Sequence, residues 1–150
     1  MRINYAKFNA GGAVERPEEY YVSDRQDRIK NKDYFCNLKA QTWWNIADRF
    51  RNTYNAIHHG EKFRDDDLIS ISSDMPHLEK MKTELSTPKR DFDRNGRVKV
   101  ESKEDLAKPT RLGGKVPSPN LADAFVMAFA PPVMSEIIIS QSDMDWAMQR

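Results

Sequence analysis

The longest periodic run of apolar residues lies between Lys39 and Ile57, and it predicts an amphipathic helix. The apolar positions recur three or four residues apart, at Ala40, Trp43, Trp44, Ala47, Phe50, Tyr54 and Ile57. Polar residues such as Arg49 and Asn52 lie on the opposite side of this helix and are expected to face water. Asn37 is placed to cap the helix and Gly60 to end it.

A second stretch, from Leu121 to Ala130, is apolar at every position except Asp123. Ser118 is the expected N-cap of this helix, Pro119 its first residue, and Pro131-Pro132 forbids its continuation. A helix that is apolar all round is expected to be buried all round. We therefore expect Asp123 to be mostly buried, on the sheet side near the N-terminal strand. A buried carboxylate must be neutralised, hydrogen-bonded or bound to a cation.

Shorter patterns predict the remaining elements. In chain order they are a strand over Arg2–Asn9, a long polar loop over residues 13–33, an exposed turn at Asp65–Asp67, a strand over Leu68–Ile71, a helix with Leu78, Met81 and Leu85 inward that stops before Pro88, a hairpin turning at Asn95-Gly96, and a short helix capped by Ser102 with Asp105.

The composition narrows the class of protein. The chain has 150 residues and a formal net charge of +1, which suits a single folded domain and names no partner. The single cysteine excludes an internal disulfide and fits the reducing cytoplasm. No apolar run approaches the roughly 20 residues of a membrane span, so we expect no membrane partner. Gly113-Gly114-Lys115 lacks the other residues of a phosphate-binding P-loop, so no ATPase domain is expected.

A basic segment lies between Lys89 and Lys115. It holds nine Lys or Arg residues and five Asp or Glu residues. This excess is typical of a surface that binds a polyanion, but it equally fits an ordinary charged face. The candidate DNA contacts are Arg97, Lys99, Lys103, Lys108, Arg111 and Lys115.

Four stretches, in order, resemble the nuclease domain in the large terminase subunits of tailed bacteriophages. They are Ile3-Asn-Tyr followed by Phe8-Asn-Ala-Gly-Gly-Ala-Val; Asn31-Lys-Asp-Tyr-Phe-Cys-Asn-Leu-Lys-Ala-Gln-Thr-Trp-Trp; Leu68-Ile-Ser-Ile-Ser-Ser-Asp-Met-Pro with Lys82-Thr-Glu-Leu-Ser; and Pro117-Ser-Pro-Asn-Leu-Ala-Asp-Ala-Phe-Val-Met-Ala-Phe-Ala. The resemblance implies an α/β fold of the RNase H-like class, in which helices flank a mixed sheet. It also implies two divalent metals, Mg²⁺ or Mn²⁺, held by three acids for DNA cleavage.

Asp123 matches the third of those acids, and this match makes it the candidate catalytic and metal-binding residue. The other two acids of the family precede the part that resembles Arg2–Asn9. The resemblance thus implies the C-terminal portion of a nuclease domain, incomplete at its N-terminus, over residues 1–131, followed by a tail over residues 132–150. Such a portion is expected to be inactive alone, and its open core is expected to expose apolar surface.

The partners implied by the resemblance are double-stranded DNA, the remaining part of the large subunit, and the small terminase subunit or the portal protein. The implied location is the cytoplasm of the bacterial host. Two alternatives stay open. One is a non-catalytic module that binds DNA or protein, and the other is an inert prophage remnant.

Overall fold

Helices dominate the part of the chain that the structure, a computed structural model, describes: residues 8–21, 28–106, 108 and 118–130. In chain order the elements are α1 Asn31–Tyr34, α2 Leu38–His59, a 3₁₀ turn at Asp65–Asp67, α3 Leu78–Ser86, β1 Arg90–Phe92, β2 Val98–Val100, α4 Lys103–Leu106 and α5 Asn120–Ala128. The strand predicted over Arg2–Asn9 lies mostly outside these residues, and the tail over 132–150 lies wholly outside them.

The ends of α2 are the predicted ones, because both depend on local chemistry. The side chain of Asn37 accepts a hydrogen bond from the Ala40 N–H at 2.9 Å, as an N-cap does. Gly60 ends the helix with φ of +68°, a left-handed conformation that glycine adopts without strain.

The inward face of α2 is the predicted one only in the first half of the helix. Ala40 and Trp43 are buried, whereas Phe50, Tyr54 and Ile57 are 37%, 56% and 71% exposed. The prediction that these last three face the core is therefore wrong. Which face of the helix is buried depends on the neighbouring segment that covers it, and the sequence of the helix alone does not determine this.

Polar residues of α2 bind the segment Leu68–Ile71, for which the sequence predicts a strand. Thr53 Oγ1 accepts a hydrogen bond from the Ile69 N–H at 2.9 Å, and Arg49 donates to the Leu68 carbonyl at 3.2 Å. These two bonds satisfy backbone groups that a sheet partner would otherwise take. Among the described residues this segment pairs with no strand, so the strand prediction is wrong, as is the prediction that Arg49 faces water.

The hairpin of β1 and β2 confirms the prediction made from Asn95-Gly96. The strands pair antiparallel, with Arg90 opposite Val100, and Gly96 takes a φ of +77° in the turn. Phe35 adds a parallel bridge to Val98, so the chain before α2 lies beside β2.

Two further local predictions are confirmed and one is corrected. Met81 is fully buried on α3, which ends before Pro88. Ser102 Oγ accepts from the Asp105 N–H at 3.0 Å at the start of α4. Within the predicted polar loop, however, Asn31–Tyr34 forms the short helix α1.

Two apolar clusters form the core of the described residues. The first joins α2 and α5 and contains Trp43, Ile46, Ile69, Ala122 and Val126. The second contains Phe35, Ala40 and Val98, with partly buried aromatic side chains packed on it. Val100 of β2 packs against both clusters, so the hairpin ties the two halves of the core together.

Candidate functional site

Helix α5 carries the candidate acid, and its first turn is capped by a residue from elsewhere in the chain. The predicted N-cap, Ser118, donates instead to the side chain of Asn120 at 2.9 Å. The position before the helix is Pro119, whose side chain has no hydrogen-bonding group. Glu84 of α3 takes the capping role, since its Oε2 accepts from the N–H groups of Leu121 at 2.7 Å and Ala122 at 3.0 Å.

One face of α5 is buried, which corrects the prediction of burial all round. Ala122 is fully buried and Val126 is 3% exposed, both against α2. Met127 and Phe129 are 43% and 38% exposed. The helix is therefore apolar on faces that the described residues do not cover.

Asp123 is mostly buried, as expected, and pairs with a lysine. Its side chain is 18% exposed, and its Oδ1 lies 2.9 Å from Lys39 Nζ. Lys39 stands in the first turn of α2, 24% exposed, with its ammonium group 5.5 Å from the centre of a Trp43 ring. The positive charge offsets the cost of placing a carboxylate in this partly dry position.

The ion pair borders a cavity of about 250 Å³. Its lining residues are Phe8, Ala10, Lys39, Trp43, Asp123, Val126 and Met127. Phe8 lies at the end of the predicted N-terminal strand and Ala10 just follows it, so the acid is on the expected side. The cavity is mainly apolar, with the carboxylate and the ammonium group as its charged groups.

The described residues provide one acid for a metal, which is less than a two-metal site requires. Within residues 8–21, 28–106, 108 and 118–130, no group of three or more His, Cys, Asp and Glu side chains is placed to hold an ion. Magnesium is commonly held by one or two carboxylates together with water and phosphate oxygens. Asp123 therefore fits as one ligand of such a site, but the described residues do not fit the pair of metals.

The candidate DNA contacts that are described each form an ion pair with a nearby carboxylate. Arg97 binds Asp93 at 2.8 Å, Lys99 binds Asp91 at 2.8 Å, and Lys108 binds Asp105. The remaining three candidates are not placed: the side chain of Lys103 and the residues Arg111 and Lys115 lie outside the described part. The role of all six in DNA binding stays a prediction.

These pairs keep the carboxylates ionised. The hydrogen bond from Lys99 lowers the pKa of Asp91, and that from Lys108 lowers the pKa of Asp105. Desolvation alone would raise the pKa of Asp93, but the hydrogen bonds from Arg97 outweigh it and the pKa is lowered. The positive charge available to phosphate is thus smaller than the composition of the segment suggests.

Sequence reasoning missed Lys39 and Glu84 as parts of this site. Both residues act across long separations, which helical periodicity does not report. The signal that marked them was the resemblance, since Lys39 and Glu84 each fall within a stretch similar to the terminase family.

Helices flanking a small sheet, with a carboxylate at the side of a cavity, are the parts of an incomplete α/β fold of the RNase H-like class. Solved structures identify the relatives within that class. The nuclease domain of the large terminase subunit gp2 of bacterial virus Sf6 matches with a TM-score of 0.70 and 32% identity, over 84% of this chain and 53% of that chain. A lysine-to-alanine variant of that domain with manganese and β-thujaplicinol matches with a TM-score of 0.68 and 33% identity, over 84% and 53%. A lysine-to-alanine variant from bacteriophage Sf6 with calcium matches with a TM-score of 0.65 and 33% identity, over 83% and 52%.

The chain is thus a terminase nuclease-like module, related to the nuclease domain of a phage large terminase subunit. It spans about half the length of the solved domains that it matches. No protein-family model and no curated protein matches it. In the part of the chain that the structure describes, no helix is long and apolar enough to cross a lipid bilayer.

Proposed function

We propose that the chain is part of the nuclease of a phage DNA-packaging terminase, which cuts double-stranded DNA with a divalent metal. The observation that carries this proposal is Asp123, held 2.9 Å from Lys39 beside a cavity in a chain 32% identical to the Sf6 nuclease domain. The two Sf6 variants were solved with manganese or with calcium. Asp123 would supply one oxygen ligand to Mg²⁺ or Mn²⁺.

In this proposal the chain is inactive alone, because the described residues supply one acid where the family's chemistry uses three. The other two acids come from the remaining part of the large subunit. Bound metals would supply Lewis-acid chemistry at the phosphodiester, and Asp123 would hold one of them. The contribution of this chain is to hold Asp123 on a helix whose position is fixed by α2 and α3.

The partners in this proposal are double-stranded DNA and the rest of the packaging machinery. That machinery comprises the remaining part of the large subunit, together with the small terminase subunit or the portal protein. The hairpin with Arg97 and Lys99 is the proposed DNA-facing element. Residues 1–131 form the nuclease portion and residues 132–150 its tail, and the protein acts in the cytoplasm of the bacterial host.

The first test is to incubate the purified chain with supercoiled plasmid and Mg²⁺ or Mn²⁺. We expect no nicking, because two acids are missing from the described residues. Cutting that disappears in Asp123→Asn but persists in Asp66→Asn would contradict the proposed incompleteness, since another acid of this chain would then complete the site. Asp66 is a matched control, because its side chain is 81% exposed on the 3₁₀ turn.

The second test joins this chain to the half of the Sf6 nuclease domain that it does not match. We expect the chimera to nick plasmid with Mn²⁺, Asp123→Asn to abolish the nicking, and Asp66→Asn to leave it unchanged. A folded chimera that cuts equally well with Asp123→Asn would rule out the metal-binding role.

A second candidate function is a non-catalytic interaction module, and the exposed side chains of α2 favour it. Tyr54 and Ile57 are 56% and 71% exposed, which is unusual for large apolar groups on one helix face. Two results together would support this candidate over the nuclease: the folded chimera shows no activity, and the chain alone binds DNA or protein.

A further inference from the structure

Glu84 is a largely buried acid that the proposed chemistry does not use. Its side chain is 11% exposed, and within the described part of the chain it forms an ion pair with Lys80 Nζ at 3.8 Å, a side chain that is itself 68% exposed. Such a weak and solvated ion pair does not offset the desolvation cost of burying the Glu84 carboxylate. The two backbone N–H groups of α5 at 2.7 and 3.0 Å offset it instead, together with the positive end of the helix dipole.

Helix α5 depends on this contact, because its own sequence provides no cap. The first N–H groups of a helix need partners outside the regular helical pattern. Pro119 has no N–H, Asn120 N–H donates to the Ser118 carbonyl, and Asp123 N–H makes the first regular helical bond, to the Pro119 carbonyl, both bonds at 2.8 Å. Glu84 accepts the two donors between them, from Leu121 and Ala122.

The helix is also too short to hold its position without tertiary contacts. It has nine residues, whereas isolated helices below roughly 12 residues are marginal in water. Its buried side chains are Ala122 and Val126, and the hydrogen bonds to Glu84 add a restraint from α3 on its N-terminal turn. Asp123 follows the second capped residue directly, so the position of its carboxylate depends on that turn.

We propose that Glu84 is a positioning residue that fixes the first turn of α5 and thereby sets where the Asp123 carboxylate lies. It acts across 37 residues of sequence, from α3 to α5. The consequence of this placement for metal binding rests on the proposed role of Asp123, but the placement itself does not.

The test compares amide hydrogen exchange in the wild-type chain with Glu84→Ala, Glu84→Gln and Glu79→Ala. Glu79 is the matched control, because it is an acid on the same helix with an 85% exposed side chain. In Glu84→Ala we expect exchange at Leu121 and Ala122 to become roughly tenfold faster, as for the loss of a helix cap. In the same variant we expect the exchange rate at Ile46 in α2 to stay unchanged. In Glu79→Ala, the exchange rates of all amides outside α3 should stay unchanged.

Glu84→Gln provides the rescue, because its amide oxygen accepts the same hydrogen bonds without the charge. We expect it to restore part of the protection at Leu121 and Ala122, and the Lys39 ammonium resonance to stay nearer its wild-type position than in Glu84→Ala.

Unchanged exchange at Leu121 and Ala122 in Glu84→Ala would overturn the proposal. Equal acceleration at Ile46 would also overturn it, since Glu84 would then support only general stability. If Glu84→Ala does not fold, Glu84→Met, which keeps most of the side-chain volume but has no oxygen acceptor, is compared with Glu79→Ala in the same way: faster exchange confined to Leu121 and Ala122 supports the proposal, and wild-type rates there overturn it.

The functional arm uses the Sf6 chimera. We expect Glu84→Ala to lower its maximal nicking rate at least tenfold with an unchanged KM for DNA, and Glu79→Ala to change neither. In a chimera that Asp123→Asn inactivates, a wild-type nicking rate in Glu84→Ala would overturn the positioning role. Failure of the chimera with Glu84 intact would count against the proposed nuclease function alone, since the exchange measurement needs no activity.

Discussion

Asp91→Asn is the substitution that most directly tests whether the hairpin faces DNA. Asp91 Oδ2 lies 2.8 Å from Lys99 Nζ, and both side chains are exposed, at 45% and 35%. The pair lowers the pKa of Asp91 and raises that of Lys99, so both groups are charged at neutral pH. Replacing the carboxylate by an amide removes the charge that competes with phosphate, and Lys99 becomes available to bind the DNA backbone.

The expected magnitude follows from counterion release. Each phosphate that a cation neutralises adds about 0.9 to the slope of log K against log salt. For three or four neutralised phosphates, raising the salt from 50 to 200 mM weakens binding on the order of 40- to 150-fold. One additional phosphate neutralised by Lys99 should steepen the slope by about 0.9 and enlarge that loss by a further factor of about 3.5.

The assay is fluorescence anisotropy with a labelled DNA duplex at several salt concentrations between these limits. Asp66→Asn is the control, because it makes the same change in net charge on the 3₁₀ turn, outside the hairpin. Asp91→Asn combined with Lys99→Ala should return the slope to the wild-type value or below. An equal slope for Asp91→Asn and Asp66→Asn would show that Lys99 meets no phosphate, and no binding by any variant at 50 mM salt would favour the inert remnant.

Two further predictions concern stability. Met81→Ala should lower the free energy of unfolding in urea by about 2–5 kcal/mol, because this fully buried side chain leaves a cavity on α3; a loss below about 1 kcal/mol would show that α3 is loosely packed. Hydrogen bonds from Lys30 and Lys32 lower the pKa of Glu18 from 4.5 to about 2. Because the folded-state pKa is the lower one, these bonds stabilise the fold above pH 4.5, and their contribution fades as the pH falls toward 2. The difference in urea midpoint between the wild type and Glu18→Gln should shrink over that window, and a constant difference would show that the ion pairs do not stabilise the fold.

The elements that the sequence predicted well are those whose signals lie within a few residues. Asn37 caps its own helix, Asn95-Gly96 turns its own hairpin, and Ser102 bonds to Asp105 three residues later. In each case the partner is so close along the chain that no alternative arrangement competes. The bounds of α2 and the hairpin followed for this reason.

The errors arose where a distant segment decides the outcome. Phe50, Tyr54 and Ile57 continue the apolar period of α2, but Thr53 binds the backbone at Ile69 and sets which side faces inward. Ser118 has the residue type of a cap, yet a glutamate 37 residues before Leu121 holds the first turn. Periodicity shows which residues share a face of an element, whereas tertiary contacts determine which face is buried.

The candidate site shows the same division. Burial of Asp123 was predictable, because a single carboxylate in an apolar helix has few alternatives. Its partner Lys39 was not, since a lysine at the start of an amphipathic helix is usually solvated. The DNA contacts remain predictions, because the composition of a segment cannot tell an ion-paired lysine from a free one.

The long-range cap on α5 also determines when this region can form during folding. A helix of nine residues gains little stability before it docks, and its cap closes a loop of more than thirty residues whose entropy must first be overcome. Helix α2, with both caps nearby in sequence, can form early from local interactions. Helix α3 must then be in place before α5 finds its acceptor, so we expect Asp123 to reach Lys39 among the last native contacts. Partly folded chains are then expected to lack the paired carboxylate even when most of their helical structure is present.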